Sequence, residues 1–75
     1  MRAIIEDTLY DTETAEEVTP INCQKILYKT KNGNFFTADA LWGIKPIESF
    51  GAKELCRTLP PEDYKRVFGT KVEEA

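Results

Sequence analysis

Few groups in this 75-residue chain could carry chemistry, and their spacing matters more than their number. There is no histidine, which removes the Ser/His and Cys/His pairings in which an imidazole activates a nucleophile. Cys23 and Cys56 stand far apart without a Cys-x-x-Cys pair, so a zinc site, which needs about four soft or imidazole ligands, cannot be assembled. In a reducing cytosol both cysteines read as small buried apolar residues, with a disulfide as the alternative. Asp11-x-Glu13 offers Mg²⁺ two carboxylates, but such an ion needs further oxygen ligands. Asp63-x-Lys65 has the spacing of some metal-dependent nucleases; those groups lie along a strand, whereas Pro61-Glu62-Asp63-Tyr64 reads as a helix start. Gly33, Gly43, Gly51 and Gly69 are scattered as turn and cap residues, not gathered into a phosphate loop. The reading is therefore of a chain that is not an enzyme, with no catalytic residue, metal or cofactor expected.

Binding chemistry is better represented. The formal charge of −3 is unevenly placed. Residues 1–20 set Arg2 against Glu6, Asp7, Asp11, Glu13, Glu16 and Glu17, while residues 21–46 set Lys25, Lys29, Lys31 and Lys45 against Asp39 alone. The total argues against a general nucleic-acid binder, and the centre does not. Two readings of the lysine-rich centre stay open. If Ile26, Tyr28 and Phe35 face the core, the opposite face shows Leu27, Phe36 and Ala38 ringed by Lys25, Lys29 and Lys31. Apolar anchors with a basic rim suit a protein partner, and the same face could track a phosphate backbone with Phe36 stacked on a base. If helices cover Leu27 and Phe36 instead, the lysines are a solvated rim. The acidic Glu13, Glu16 and Glu17 form a second expected surface. They read as a solvated, capped turn, the other readings being phosphate mimicry or a metal site.

The element that must position these groups is a central β-hairpin at about 24–39. Two β-branched and aromatic runs flank Asn32-Gly33, a pair that suits a two-residue type I′ loop. That loop sets Thr30 opposite Phe35, Tyr28 opposite Thr37 and Leu27 opposite Ala38. A two-stranded hairpin is marginal in water, so something must cover it. Residues 2–5 and Leu9-Tyr10 read as short strands around a turn at Glu6-Asp7-Thr8. Thr14-x-x-Glu17 has capping-box spacing, with at most one helical turn before Thr19-Pro20 stops it. Gly43 and Pro46 limit Ile44 and Ile47 to an edge segment, and Trp42 reads as a buried lid. Ser49 suits the N-cap of a helix at about 50–58, with Ala52, Leu55, Cys56 and Leu59 on its inner stripe. A second helix at about 61–68 opens on Pro61, buries Tyr64, Val67 and Phe68, and stops at Gly69. Residues 70–75 read as a frayed, charged tail. The expected fold is one small α+β domain over residues 1–75, a small antiparallel sheet with two short C-terminal helices on one face. A chain this short buries only about 60% of its unfolded surface, which favours a protein that acts through its surface. Met1-Arg2-Ala3-Ile4-Ile5-Glu6-Asp7 meets acid after two isoleucines and nothing approaches a membrane-spanning length, so the expectation is cytoplasmic.

Three stretches taken together resemble a known group. They are Met1-Arg2-x-Ile4-Ile5 running into Leu9-Tyr10-Asp11-Thr12-Glu13-Thr14-Ala15; Ile26 to Phe36 around Asn32-Gly33; and Ile44-x-Pro46-Ile47, then Leu59-Pro60-Pro61-Glu62-Asp63-Tyr64 ending in Val67-Phe68-Gly69. The set resembles small, largely uncharacterised proteins carried by phages and integrative elements of Firmicutes-type bacteria, and the Tyr-Asp-Thr-Glu-Thr-Ala block is its most specific part. Members carry a longer, glycine-rich stretch where this chain has Thr37 to Glu48. The resemblance implies no enzymatic residues. It implies genetic company, because mobile-element genes of this size often encode inhibitors of host defence, anti-CRISPR proteins among them. The expected function is that of a non-enzymatic accessory protein that binds and blocks a host protein, a CRISPR effector in its most specific form. The expected partner-binding residues are Lys25, Leu27, Lys29, Lys31 and Phe36, with Glu13, Glu16 and Glu17. The alternatives are a small nucleic-acid-binding regulator using the Lys-rich hairpin, and a subunit that dimerises through an exposed hairpin edge.

Overall fold

The computed structural model describes residues 1–69; the tail expected at 70–75 lies outside the described residues. The fold is α+β, with a two-stranded ribbon, a four-stranded antiparallel sheet and two short helices. The ribbon pairs β1 (Arg2–Ile5) with β2 (Thr8–Asp11). The sheet is an antiparallel meander of β3 (Glu16–Pro20), β4 (Lys25–Lys29), β5 (Phe35–Asp39) and β6 (Gly43–Ile47), in that order across its width. The helices are α1 (Ser49–Leu55) and α2 (Pro61–Phe68).

The central hairpin forms, with its register one residue away from the expected one. Tyr28 lies opposite Phe36, Leu27 opposite Thr37 and Ile26 opposite Ala38. The loop has three residues, Lys31-Asn32-Gly33, and of these only Gly33 has positive φ, at 86°. The Gly33 N–H donates to the Thr30 carbonyl, and the Asn34 N–H is taken by the Thr30 hydroxyl at 3.0 Å. A type I turn followed by a left-handed glycine explains this geometry, and the Thr30 side chain tips the choice away from the two-residue loop. The two-residue left-handed turn occurs elsewhere. Glu6 and Asp7, between the paired Ile5 and Thr8, have φ of 51° and 61°.

A slip of one residue changes which side chains share a face. Leu27 and Phe35 point to the helix side, where Ala52 of α1, Cys56 at its C-cap and Val67 of α2 complete a buried cluster. Phe36 and Tyr28 point to the other side, with ring centroids 5.2 Å apart, and Tyr10 of the ribbon meets Phe36 edge-on at 5.4 Å. Both faces of the hairpin are therefore covered, one by helices and one by the ribbon. Its edges are covered too, because β4 and β5 are the inner strands of the sheet. The hairpin therefore has no open edge of its own; the edges of the four-stranded sheet are β3 and β6.

Residues 16–20 form a strand where a capped helical turn was expected. The turn closes earlier, around Asp11, whose Oδ1 accepts the Glu13 N–H at 2.9 Å and whose carbonyl accepts the Ala15 N–H at 3.0 Å. Glu16 is then free to pair with Lys29 across the β3–β4 ladder, an opposite-charge pair of the kind that stabilises neighbouring strands. A bulge between Glu17 and Thr19 accompanies the packing of Val18 against the helix-side core. Pro20 is tolerated because β3 is an edge strand, and β6, the other edge, carries Pro46.

The helices lie close to their expected places. Pro61 occupies the first turn of α2, and Gly69 caps its end with φ of 63°. For α1 the N-cap is Glu48 rather than Ser49, and the helix ends at Leu55 rather than at 58. Gly51 costs α1 up to about 1 kcal/mol against Ala, yet a Cβ there would sit 3.0 Å from Ile47 Cγ1. The glycine is what lets α1 lie so near β6.

Candidate functional site: the open end of the sheet

The residues expected to bind a partner do not converge on one surface. Leu27 and Phe36 are each 0% exposed and lie in different cores, so neither can anchor a partner. Lys29 is tied down: its Nζ donates to the Val67 carbonyl at the end of α2 and sits 5.9 Å from the centroid of the Phe35 ring. A cation near a helix C-terminus complements the helix dipole, a structural role. Glu16 forms an ion pair with Arg66 of α2. Glu13, Glu17 and Lys31 are exposed, and Lys25 is half-buried. Glu16, Lys29 and Lys31 line one shallow cleft with Thr14, Ala15 and Thr30. Part of the acidic stretch and part of the lysine-rich hairpin are thus neighbouring strands, with Glu16 set opposite Lys29.

An exposed apolar surface lies at the end of the sheet where the β3–β4 and β5–β6 turns meet. The Ala40 N–H donates to the Gln24 carbonyl at 2.9 Å, which locks the two turns together. Three residues, Ala40-Leu41-Trp42, connect the paired Asp39 and Gly43. Asp39 is buried, and its Oδ1 accepts the Leu41 N–H at 2.7 Å and the Trp42 N–H at 3.0 Å. Gly43 closes the turn with φ of 80°, a conformation few other residues adopt. The Leu41 N–H, then the Trp42 N–H, and to a lesser degree the Lys25 charge, hold the Asp39 carboxyl below its usual pKa against the opposing effect of burial. The turn is therefore fixed in shape, and what it presents is apolar: Trp42 is 85% exposed and Leu41 70%. Trp42 is not the buried lid expected of it. The hairpin turn directs it away from both cores.

Beside this tip lies a cleft of about 540 Å³ on the ribbon side of the sheet. Ile26, Tyr28 and Ala38 line it from the sheet, Met1 from just before β1, and Cys23 and Ala40 from the two turns. Cys23 is exposed on the β3–β4 turn, contrary to expectation, whereas Cys56 is buried and its thiol is pushed up by that burial. Both are free thiols. The chemistry this end supports is recognition: a rigid, solvent-facing indole and leucine next to an apolar cleft. Trp is among the residue types most enriched at interface hot spots.

The other sequence candidates for chemistry stay apart. Asp11 uses a carboxylate oxygen to close its own turn, and Glu13 beside it is exposed. Asp63 lies in the first turn of α2 and Lys65 in its last, so both are on a helix, as the helix reading requires. Among the described residues no three His, Cys, Asp or Glu side chains cluster as a metal site would need, and no helix is long and apolar enough to cross a membrane. The tip was missed because a tryptophan reads as core in so short a chain. The signal that could have found it is Asp39-x-x-x-Gly43, a side-chain acceptor and a left-handed glycine bracketing the residues between them. Comparison of the chain with protein families, with curated proteins and with solved structures gives no match.

Proposed function

We propose that this protein is a non-enzymatic binding module that docks a partner protein through the Leu41-Trp42 tip and the apolar cleft beside it. The observation that carries the reading is the exposure of Trp42 on a turn that a buried carboxylate holds in shape. A folded chain this small gains little from leaving its one tryptophan in water, whereas an interface gains an anchor that is already ordered. The resemblance to phage and mobile-element proteins supports a narrower form, in which the partner is a host-defence protein, a CRISPR effector in the most specific case, and docking blocks it. The nucleic-acid alternative draws less support, since Lys29 is bonded to α2 and faces Glu16.

The test is cleavage of target DNA by purified CRISPR effectors with and without the protein, together with its Trp42→Ala variant. Inhibition by the native chain that weakens by about tenfold or more in the variant, as for a hot-spot residue, supports the reading. No inhibition, together with no partner crosslinked through the tip in a host lysate, overturns it. Binding to DNA or RNA that falls steeply with salt and is indifferent to Trp42→Ala would transfer the function to the lysines.

A further inference from the structure

On the helix side of the sheet, at its open end, a second cleft of about 270 Å³ lies between the strands and the C-terminal end of α1. Ile21, Ile47 and Leu55 give it apolar walls, and Thr37, Lys25 and Lys45 its polar groups. Thr37 lies on β5, and the two lysines on the strands to either side, Lys25 opposite Asp39 and Lys45 opposite Thr37. The ion pairs among the described residues are Arg57–Glu54 and Arg66–Glu16, so neither lysine belongs to one. Asp39, the acid across from Lys25, uses Oδ1 to accept two backbone N–H groups. The lining of the cleft holds two ammonium groups and no carboxylate, so its mouth is positive. The Thr37 hydroxyl reaches the Lys45 carbonyl only at 3.5 Å, so it remains available to a better partner.

We propose that this cleft takes an acidic side chain from a peptide segment of the partner, with the carboxylate between Lys25 and Lys45 and an adjacent aliphatic residue against Ile47 and Leu55. Charge complementarity selects an acid, and the apolar walls favour one attached to an aliphatic neighbour over a free, fully hydrated anion. The cleft sits behind the tip that carries Trp42, and Asp39 joins the two by holding the tip while lying across from Lys25. The inference rests on the reading of this protein as a partner-binding module and supplies what that reading lacks, the chemistry of the segment bound.

The experiment is an NMR titration of the full ¹⁵N-labelled chain with a blocked peptide alternating leucine and glutamate, and with the same peptide carrying glutamine for glutamate. The expected result is saturable shifts at the Thr37, Ile47 and Leu55 amides, absent with the glutamine peptide and reduced by added salt. Affinity should fall roughly tenfold or more in the Lys25→Gln/Lys45→Gln variant and stay unchanged in Lys31→Gln, whose lysine is on the far hairpin loop. Equal binding of the glutamine peptide, shifts confined to another surface, or tighter binding of inorganic phosphate than of the peptide would overturn the proposal. The peptide comparison needs no altered protein, so a folding defect in a variant cannot decide the outcome. Trp42-dependent inhibition with no peptide response refutes the cleft alone; a peptide response with no partner refutes the docking function and leaves the cleft.

Discussion

Replacing Phe36 tests whether both faces of the hairpin are closed. Its ring is 0% exposed, stacked on Tyr28 at 5.2 Å and met edge-on by Tyr10 at 5.4 Å. Truncation to alanine removes the ring and leaves a cavity between sheet and ribbon, at a cost of about 3–5 kcal/mol. A folded chain has about 0.05–0.15 kcal/mol of stability per residue, or roughly 4–11 kcal/mol over this length. Phe36→Ala therefore removes between about a quarter and all of it. Phe36→Leu keeps most of the apolar area and loses the two ring pairs, each worth about 0.5–1.5 kcal/mol, so it should cost about 1–3 kcal/mol. With a urea slope of about 1 kcal/mol/M for so small a protein, the midpoint should fall by roughly 1–3 M. The control is Leu27→Ala on the opposite face, also 0% exposed, which should cost about 2–5 kcal/mol. Far-UV circular dichroism is the proper probe, because Trp42 is solvent-exposed in the folded chain and its emission should change little on unfolding. If only one face were covered, one of the two positions would tolerate substitution within about 0.5 kcal/mol, as surface sites do. Such a result at Phe36 would refute the three-layer arrangement.

The loop geometry predicts an asymmetry between neighbours. Gly33→Ala should destabilise by about 1–2 kcal/mol because only Gly33 has positive φ, whereas Asn32→Ala should be near neutral; equal costs in thermal unfolding would restore the two-residue loop. The thiols should differ as well. Iodoacetamide should modify Cys23 in the native chain and reach the buried, less acidic Cys56 only on unfolding, and mass spectrometry that finds both modified at similar rates would contradict the packing of α1. Acid should loosen the tip late. Since the folded Asp39 carboxyl lies below its usual pKa of about 4, its contribution is fully present above that pH and is lost as pH falls through the lower folded value. Amide shifts of Leu41 and Trp42 that titrate at or above the ordinary carboxylate range would refute the hydrogen bonds assigned to Asp39.

Local signals were read from the sequence where a local rule decides the outcome. Pro61 and Gly69 bracket α2 because each residue's backbone preference is met within one turn. The ribbon followed from two short apolar runs about a polar turn. The hairpin was legible as a hairpin but not in register, because two loop geometries compete at Asn32-Gly33 and the Thr30 hydroxyl decides between them. That one step carried most of the error about the site, since it put Leu27 and Phe36 on one face when they lie in opposite cores. Residues 16–20 were misread for a different reason. Acids next to a threonine look like a helix start, and only the pairing of Glu16 with Lys29, distant in sequence, makes a strand of them. Trp42 and Cys23 failed together, because an apolar residue type permits burial and does not require it.

These placements constrain how a partner can be recognised. Strand addition needs a sheet edge with a regular row of free N–H and C=O groups. In the four-stranded sheet one edge is β3, which is bulged beyond Glu17 and ends on Pro20, and the other is β6, which carries Pro46. Each offers an interrupted row, as edges protected from self-association do. The two faces of the hairpin are filled, by α1 and α2 on one side and by the ribbon on the other. Of the lysines that made the hairpin look basic, Lys29 is matched at Glu16 and at the end of α2. Leu41 and Trp42 stand instead at the end of the sheet where two turns are tied by the Ala40–Gln24 bond, with a cleft on each face nearby. Recognition there must proceed by insertion of side chains against Trp42 and into those clefts, not by extension of the backbone ladder. A partner that bound by strand addition would therefore be insensitive to Trp42→Ala, and that outcome would move the site from the end of the sheet to an edge.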